Sequence, residues 1–339
     1  MKHLVVTGGA GFIGSNFVRY MLGKYPDYTI TVLDKLTYAG NMENLREVEN
    51  DPRYRFVRGD IADAAAVEQA TSAQGCDAII NFAAETHVDR SILEPDAFIK
   101  TNVYGTYILL EAARKLNIER YVQISTDEVY GSIPAPRSSV ESDVLEPSSP
   151  YSAAKTGGEL MALSYYVTYK VPVMVTRGSN NYGPFQYPEK LIPLFVTNAI
   201  ESKPLPVYGD GKQVRNWIYV LDHCTGIDTV LHKGQAGEIY NVGGPSEEYN
   251  LDITHTILRL LDQPQSLISY VKDRPGHDRR YSLNADKLKA LGWQPQYDLG
   301  AGMKATVDWY VANEAWWKPL KSGEYLEYYK RQYGTVAVS

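Results

Sequence analysis

Cysteine is scarce in this sequence of 339 residues, which contains only Cys76 and Cys224. The two residues lie far apart, and neither stands in a spacing typical of a metal site or of a thiol–disulfide motif. A disulfide-stabilised secreted domain and a cysteine-ligated metal centre are therefore excluded. We expect no metal ion in this protein.

Long apolar segments are also missing. Met1-Lys2-His3 leads directly into a strand-like run, Leu4–Thr7, without the apolar stretch and small-residue cleavage site of a secretion signal. No stretch is long and apolar enough to span a bilayer. We expect a cytoplasmic protein with no membrane partner.

Positive charge is not in excess, since 34 basic residues face 40 acidic ones and give a formal net charge of −6. Binding to a phosphate backbone requires a positive surface, so this balance argues against a nucleic-acid partner. The hydrophobic share of 44% is ordinary for a globular protein with a large core.

The first informative pattern is a glycine-rich stretch after the first predicted strand. Gly8, Gly11 and Gly14 recur at every third position and lead into an amphipathic helix that extends to about Lys24. A strand, a tight glycine turn and a helix N-terminus together form the phosphate cradle of dinucleotide-binding folds. The spacing is GxxGxxG rather than GxGxxG, but the small residues permit the same close approach.

An acidic residue, Asp34, ends the second predicted strand. A carboxylate at this position accepts hydrogen bonds from the adenosine ribose and repels a 2′-phosphate. The sequence therefore favours NAD over NADP, although the neighbouring Lys35 reduces that preference.

Short apolar strands alternate with predicted helices at about 64–71, 96–116 and 152–169. Repeated βα units of this kind predict an α/β fold with a doubly wound parallel sheet of the Rossmann type. After about residue 180 the pattern loosens into shorter elements. We expect an NAD-binding domain with the catalytic residues over 1–180. A smaller substrate-binding lobe should cover most of 181–339, with a brief return to the main sheet near 238–244.

Four polar residues in a row, Ser125 to Glu128, follow the predicted strand Tyr121–Ile124. Open α/β sheets bind their ligands at the carboxyl ends of the strands. These side chains are therefore available to a single substrate.

A second polar pair begins the helix predicted after Pro150, where Tyr151 and Lys155 are one turn apart and project from one face. A lysine ammonium beside a phenol favours the phenolate, so we expect a lowered tyrosine pKa and a tyrosine that acts as a base. The same spacing occurs at Tyr20 and Lys24, and a surface pair is the alternative. The polar strand end and the glycine loop favour the catalytic interpretation.

Two further features carry less specific signals. His87 has no second metal-type ligand at a suitable spacing, and the sequence is equally consistent with a substrate contact and a structural role. The loop 273–280 is basic and, with Arg215, is predicted to clamp a diphosphate, a solvated loop being the alternative.

From Met1 to about Tyr310 the chain resembles the extended short-chain dehydrogenase/reductases and, within them, the dTDP-glucose 4,6-dehydratases. The resemblance is carried by Gly8–Gly14, 34–41, Ser125–Gly131, Tyr151–Lys155 and 180–193. Its most specific element is Thr126-Asp127-Glu128, because related epimerases share the glycines and the Tyr-x-x-x-Lys pair but lack this acid pair. The sequence departs from the family's usual pattern at Gly178, Asn216 and Leu221, where Cys, Asp and an acidic residue are common.

The resemblance implies roles for five catalytic residues. Tyr151 would be the base toward the sugar 4-hydroxyl, with Lys155 as its electrostatic partner and Thr126 as a hydroxyl contact. Asp127 would be the acid toward the leaving 6-hydroxyl, and Glu128 the base at C5. NAD would stay bound, because the cycle is redox-neutral.

Two sets of binding residues follow from the motifs and the resemblance. The cofactor contacts are expected at Gly8, Gly11, Phe12, Ile13, Gly14, Asp34, Lys35, Thr37, Gly40, Asp60, Ile61, Ala83, Ala84, Tyr151, Lys155 and Asn180. The contacts to a nucleotide-diphosphate sugar are expected at Thr86, His87, Thr126, Asn181, Glu189, Lys190, Leu191, Tyr208, Arg215, Asn250, Arg274 and His277.

Two alternative functions stay open at this point. A nucleotide-sugar 4-epimerase would use the same glycines, tyrosine and lysine, but dehydration needs the additional acid and base that Asp127 and Glu128 supply. A Rossmann protein that only senses NAD would not need the Tyr151/Lys155 pair. We also expect a homodimer, because the helices near 96–116 and 152–169 carry apolar and aromatic residues on more than one face.

Overall fold

The computed structural model describes residues 1–72, 75–273 and 275–333. Its strands are β1 (His3–Thr7), β2 (Thr29–Asp34), β3 (Tyr54–Arg58), β4 (Ala78–Asn81), β5 (Arg120–Thr126), β6 (Val173–Gly178), β7 (Asn180–Tyr182), β8 (Leu205–Tyr208), β9 (Val214–Tyr219), β10 (Ile239–Val242), β11 (Ser246–Tyr249) and β12 (Ile268–Val271). Its α-helices are α1 (Phe12–Lys24), α2 (Ala64–Ser72), α3 (Val88–Leu93), α4 (Pro95–Phe98), α5 (Thr106–Leu116), α6 (Pro150–Tyr169), α7 (Leu191–Ile200), α8 (Val220–Lys233), α9 (Asn250–Leu260), α10 (Asp286–Lys289), α11 (Leu299–Ala312), α12 (Glu314–Trp317) and α13 (Glu324–Tyr333).

Seven parallel strands form the central sheet in the order β10-β6-β5-β4-β1-β2-β3. The chain builds β1 to β3 outward on one side and then crosses to place β4 on the other side of β1. This reversal between β1 and β4 is the switch point at which doubly wound sheets bind ligands. The predicted α/β fold of the Rossmann type is confirmed.

Helices cover both faces of the sheet because alternate residues of each strand point to opposite faces. In β1, Val6 packs in the cluster that contains α1 and α8, whereas Val5 packs in the cluster that contains α2, α5 and α6. Both valines are almost fully buried. The sheet that carries the polar strand ends is therefore packed on both faces.

The helix predicted over about 96–116 differs in its middle part. It consists of α4, a π-helical segment from Ile99 to Gly105, and α5. In this segment the side chain of Asn102 contacts the backbone of Glu85. The Glu85 N–H donates to Asn102 Oδ1 at 2.9 Å, and Asn102 Nδ2 donates to the Glu85 carbonyl at 3.1 Å. A regular-helix prediction does not include this tertiary contact, which holds the segment after β4 in place.

The second half of the chain builds a separate layer from the sheets β11-β9-β7 and β12-β8, together with α7, α9 and α11 around their own core. The strand β10 nevertheless pairs in parallel with β6 in the central sheet. The C-terminal aromatic residues pack on the body, since Trp317 is fully buried and Trp316 Nε1 donates to Asn44 Oδ1 at 2.9 Å. In the described ranges we find no helix with the length and apolarity needed to cross a membrane.

Candidate active site

The glycine loop after β1 forms a closed cradle. Gly8 has a φ of +67°, a conformation that favours glycine, and a Cβ there would lie 2.6 Å from the backbone nitrogen of Ala83. A Cβ on Gly14 would collide with the carbonyl oxygen of Gly8. Only backbone therefore lines this turn, and α1 begins directly behind it at Phe12. A cradle that any side chain would fill fits the pyrophosphate of a dinucleotide.

The end of β2 is held by hydrogen bonds to its carboxylate. Asp34 accepts from the backbone N–H of Ala10 at 2.9 Å and of Leu36 at 2.8 Å, and burial raises its pKa. A carboxylate has about four acceptor positions, so it can still accept from ribose hydroxyls. Lys35 pairs with Asp60 at 2.9 Å and does not neutralise Asp34. This arrangement is consistent with the predicted preference for NAD.

A cavity of about 360 Å³ extends from the glycine loop to the ends of β5 and β6. It is lined by every predicted cofactor contact, including Thr37, Gly40, Ile61, Ala83, Ala84 and Asn180, and by all five predicted catalytic residues. The structure therefore places the dinucleotide cradle and the polar strand end in one cleft. Their roles in binding and catalysis stay predictions.

The acid pair is presented by a short 3-10 turn that follows β5. Thr126 caps this turn, accepting from the N–H of Glu128 at 3.3 Å and donating to Asp127 Oδ1 at 3.2 Å. Asp127 is buried, and its Oδ2 has no hydrogen-bond partner among the residues the structure describes. Burial, and next the charge of Glu128, raise the pKa of Asp127 to about 8. This upward shift favours the protonated form of Asp127, which is the form that can donate a proton.

The tyrosine–lysine pair lies in the first turns of α6. Ser149 and Ser152 form a reciprocal capping box with Pro150 between them, which fixes the start of the helix. Tyr151 and Lys155 consequently face the cleft, and both are almost fully buried. Lys155 Nζ donates to the carbonyl oxygen of Ile124 at 2.5 Å.

The prediction that Lys155 lowers the pKa of Tyr151 is wrong for this arrangement. Burial, and next the charge of Glu128, raise the pKa of Tyr151 above its ordinary value. Burial also lowers the pKa of Lys155, to about 8. Helical spacing alone shows the lysine beside the phenol, but it does not show the carboxylates that tertiary packing adds around it.

A second, adjoining cavity opens between the two layers of the molecule, and Glu128, Asn180, Glu189, Lys190, Leu191 and Trp217 line both cavities. Most predicted substrate contacts line the second one, namely His87, Glu189, Lys190, Leu191, Tyr208, Arg215, Asn250 and His277. Thr86, Thr126 and Asn181 line the first. Arg274 lies outside the described residues.

In the described part of the loop 273–280, two arginines have acidic partners elsewhere in the chain, while the predicted diphosphate clamp itself stays a prediction. Arg279 forms an ion pair with Asp210 at 2.8 Å, and Arg280 forms one with Glu247 at 2.7 Å. Arg215 does face the cavity, with its guanidinium 4.2 Å above the ring of Tyr281. Basic composition could not reveal these acidic partners, which lie elsewhere in the chain.

Several residues in and around the clefts were missed by the sequence reasoning. The Tyr38 hydroxyl donates to Glu189 Oε1 at 3.0 Å, and the guanidinium of Arg90 lies 3.8 Å above the Tyr38 ring. Burial raises the pKa of Glu189 to about 7. Tyr38 lies in the stretch 34–41, one of the stretches that carry the family resemblance, so the resemblance could have identified it. No spacing pointed to Arg90.

Two departures from the family pattern have physical explanations here. A side chain at Gly178 would place its Cβ 2.8 Å from the ring of His223, which is buried and bonded to Asn181 Oδ1 at 2.9 Å. Asn216 uses both ends of its amide, because it donates to the carbonyl of Gly244 at 3.0 Å and accepts from its N–H at 2.8 Å. An aspartate could not make the first of these bonds.

No group of His, Cys, Asp or Glu side chains within 1–72, 75–273 and 275–333 is arranged to hold a metal ion. The polar groups of the clefts are instead hydroxyls, amides, carboxylates and cationic side chains. Such a set suits an organic substrate with a dinucleotide.

Comparison with known proteins gives a consistent result. A family model described as GDP-mannose 4,6 dehydratase matches residues 5–306. The dTDP-glucose 4,6-dehydratase of Streptomyces niveus is 51% identical, over 94% of this chain and 96% of the relative.

Two solved structures are similarly close. The dTDP-glucose 4,6-dehydratase from Streptomyces venezuelae with NAD and TYD bound has 52% identity and a TM-score of 0.91, covering 94% of this chain and all of that one. The corresponding enzyme from Bacillus anthracis in complex with NAD has 49% identity and a TM-score of 0.89, covering 95% of this chain and all of that one. This chain thus belongs to the dTDP-glucose 4,6-dehydratases, within the extended short-chain dehydrogenase/reductases.

Proposed function

We propose that this protein is an NAD-dependent hydro-lyase that converts dTDP-glucose to dTDP-4-keto-6-deoxyglucose. The observation that carries the proposal is the position of Asp127 and Glu128 in the same cleft as Tyr151 and Lys155. Loss of water from C5 and C6 of a hexose is difficult because the C5 hydrogen is not acidic. A ketone at C4 makes it acidic, so a site that combines oxidation with an acid and a base can remove water.

Bound NAD would supply the hydride acceptor for C4 and the source of the same hydride for C6. The glycine cradle and Asp34 would hold it. Tyr151 removes the proton of the 4-hydroxyl, and the pKa of about 8 leaves Lys155 mostly protonated at neutral pH. Its charge then offsets the cost of the buried phenolate.

The acid and the base act after the ketone has formed. Glu128 removes the proton from C5, and Asp127 donates a proton to the departing 6-hydroxyl. The raised pKa of Asp127 supports the role of acid, since it holds a proton at neutral pH. Thr126 holds both residues through the capped turn and presents its hydroxyl to the sugar.

The proposal is tested by incubating the purified protein with dTDP-glucose, and separately with UDP-glucose, and identifying the sugar by NMR. We expect the 4-keto-6-deoxy product from dTDP-glucose. In D₂O, deuterium should enter at C5 while the original C4 hydrogen appears at C6 of the same molecule. An inverted hydroxyl at C4, with the hydrogen back on C4, would mean that the protein is an epimerase.

Replacing Arg215 by Ala should weaken substrate binding more than the chemical step. Charge-assisted hydrogen bonds contribute about 1.5–3 kcal/mol each, so we expect KM to rise about 10- to 100-fold with a smaller change in kcat. Steady-state kinetics with dTDP-glucose would measure both. Arg279→Ala is the matched control, because Arg279 is exposed and paired with Asp210. An unchanged KM for Arg215→Ala would remove Arg215 from the substrate site.

The proposal includes a homodimer formed through α5 and α6. Leu109 and Ala162 are buried against the sheet, while Leu160, Val167 and Tyr169 on α6 are exposed, at 52%, 67% and 51%. An apolar outer face of this kind is stabilised by a second copy.

Light scattering at micromolar concentration should give twice the chain mass of 38.0 kDa. Leu160→Asp should shift the protein toward the monomer, because it places a charge in that face. Val144→Asp, at a residue that is 78% exposed elsewhere, should not. A monomeric wild type would reject the dimer.

The division of labour along the chain is also part of the proposal. We place cofactor binding and catalysis in residues 1–180 and most substrate binding in 181–339, with the strand near 238–244 belonging to the first part. We also place the protein in the cytoplasm, where dinucleotides and nucleotide sugars are available together.

A further inference from the structure

The last helix, α13, lies beyond the residues matched by the family model and carries a tyrosine at every fourth position. Tyr325, Tyr329 and Tyr333 share one face, with ring centroids 5.9 Å and 4.8 Å apart in succession. Tyr325 and Tyr329 are buried in the core of the second layer. The helix is therefore anchored along this face, and Tyr333 stands at its end.

The end of α13 lies against the second cavity, which Tyr333 lines. The rings of Tyr333 and Tyr208 are 5.9 Å apart and tilted by 36°, and Tyr208 meets His277 edge-on at 6.0 Å. Gln332 Nε2 donates to the Tyr208 hydroxyl at 2.6 Å and to Asp89 Oδ2 at 3.2 Å. The last helical turn thus supplies one aromatic ring of the wall and holds a second in position.

The chemistry of this wall indicates which part of the substrate it contacts. The catalytic cleft and the second cavity meet at Glu128 and Asn180, so the sugar occupies the shared end and the nucleotide extends away from it. There the lining combines flat aromatic rings with the amide of Asn250, whose buried Oδ1 has no hydrogen-bond partner in the described part of the chain. Aromatic faces stack on bases, and an amide can read a base edge.

We propose that Tyr333 forms a wall of the nucleobase subsite and determines affinity for the base, with Gln332 as a positioning residue for Tyr208. This inference rests on the proposed function, since it assigns the base of the same nucleotide sugar. It gives the C-terminal helix a direct part in substrate recognition.

The test is the affinity of the NAD-loaded protein for dTDP, measured by calorimetry. Tyr333→Ala should raise the Kd about tenfold, because it removes an aromatic face on which the base stacks. KM for dTDP-glucose should rise by a similar factor, with kcat within about twofold of the wild type. Tyr333→Phe keeps the ring and should stay within about threefold. Tyr270→Ala is the control, because Tyr270 is exposed on β12, which pairs with the strand of Tyr208.

Inorganic pyrophosphate separates recognition of the base from a structural effect, because it has no base to stack. Tyr333→Ala should leave inhibition by pyrophosphate unchanged while weakening dTDP. If dTDP binds within twofold of the wild type, or if dTDP and pyrophosphate weaken equally, the inference is overturned. Tyr333→Leu, which retains apolar volume on the anchored face, answers the same question if the alanine variant does not fold.

The positioning role of Gln332 has its own readout. The double variant Gln332→Ala/Tyr208→Phe should weaken dTDP binding by the same factor as the stronger of the two single variants. Independent, multiplying effects would reject the positioning role. Failure of the proposed function looks different, because the wild type would then bind dTDP without converting dTDP-glucose.

Discussion

Tyr151→Phe is expected to abolish the appearance of NADH when the NAD-loaded protein is mixed with dTDP-glucose. Without the phenol no group removes the proton of the 4-hydroxyl, so the hydride cannot leave C4. General acid–base groups contribute about 10²- to 10⁴-fold, and we expect turnover to fall toward the upper end of this range. Absorbance at 340 nm in a stopped-flow experiment measures the first hydride transfer directly.

The control for this variant is Tyr165→Phe on the same helix. Tyr165 is also buried, but its hydroxyl donates to Glu111 and does not line either cavity. Equal NAD content and equal melting temperatures would show that both variants are folded. Lys155→Met should resemble Tyr151→Phe, because it removes the charge that offsets the phenolate. If Tyr151→Phe produced NADH at the wild-type rate, another group would have to be the base.

Asp127→Asn and Glu128→Gln are expected to stop the reaction one step later. In the proposed mechanism both residues act after C4 is oxidised, so each variant should form NADH at a near-normal rate and then accumulate it with a 4-keto-hexose. Overall turnover should fall by about 10²- to 10⁴-fold. The intact first hydride transfer is the internal control for folding and binding. Either variant that stalls before NADH appears would show that its residue takes part in the oxidation.

The raised pKa of Asp127 adds a pH dependence to this prediction. The acid must hold its proton in order to give it to the leaving oxygen, and its pKa is raised to about 8 by burial and by the charge of Glu128. The rate of dehydration should therefore fall as the pH rises through about 8. Asp127→Asn cannot titrate at this position, so the decay of its accumulated NADH, which follows the step that depends on Lys155, should lack this decline. A wild-type rate that increases through the same range would contradict the assignment of Asp127 as the acid.

Local sequence patterns were sufficient to predict those features of the site whose geometry depends on residues close together in the chain. Three features, the glycine turn, the carboxylate at the end of β2 and the tyrosine–lysine pair in α6, each lie within one short stretch of the chain. Their backbone geometry follows from residues a few positions apart, such as the Ser149–Ser152 capping box. The alternation of short apolar strands with helices predicted the parallel sheet. Each strand of such a sheet is buried on both faces, and this burial requires an apolar run in the local sequence.

The walls of the second cavity could not be predicted from local patterns, because they combine segments that are far apart in the sequence. Its walls come from the segment after β4, from α7, from β8 and β9, and from the end of α13. No spacing relates Arg90 to Tyr38 or Gln332 to Tyr208, because these contacts join segments far apart in sequence. In the basic loop, Asp210 pairs with Arg279 and Glu247 with Arg280, and composition alone does not reveal these partners.

The sequence by itself determined the fold class and the cofactor, because periodicity and short motifs encode local geometry, and the family resemblance supplied the proposed catalytic roles. Tertiary structure decided how those groups behave. It buried Tyr151 beside two carboxylates and so raised the pKa that the helix alone was expected to lower. It also brought the end of α13 to the second cavity. Burial and charge depend on what packs around a residue, and that environment is created only when distant segments meet.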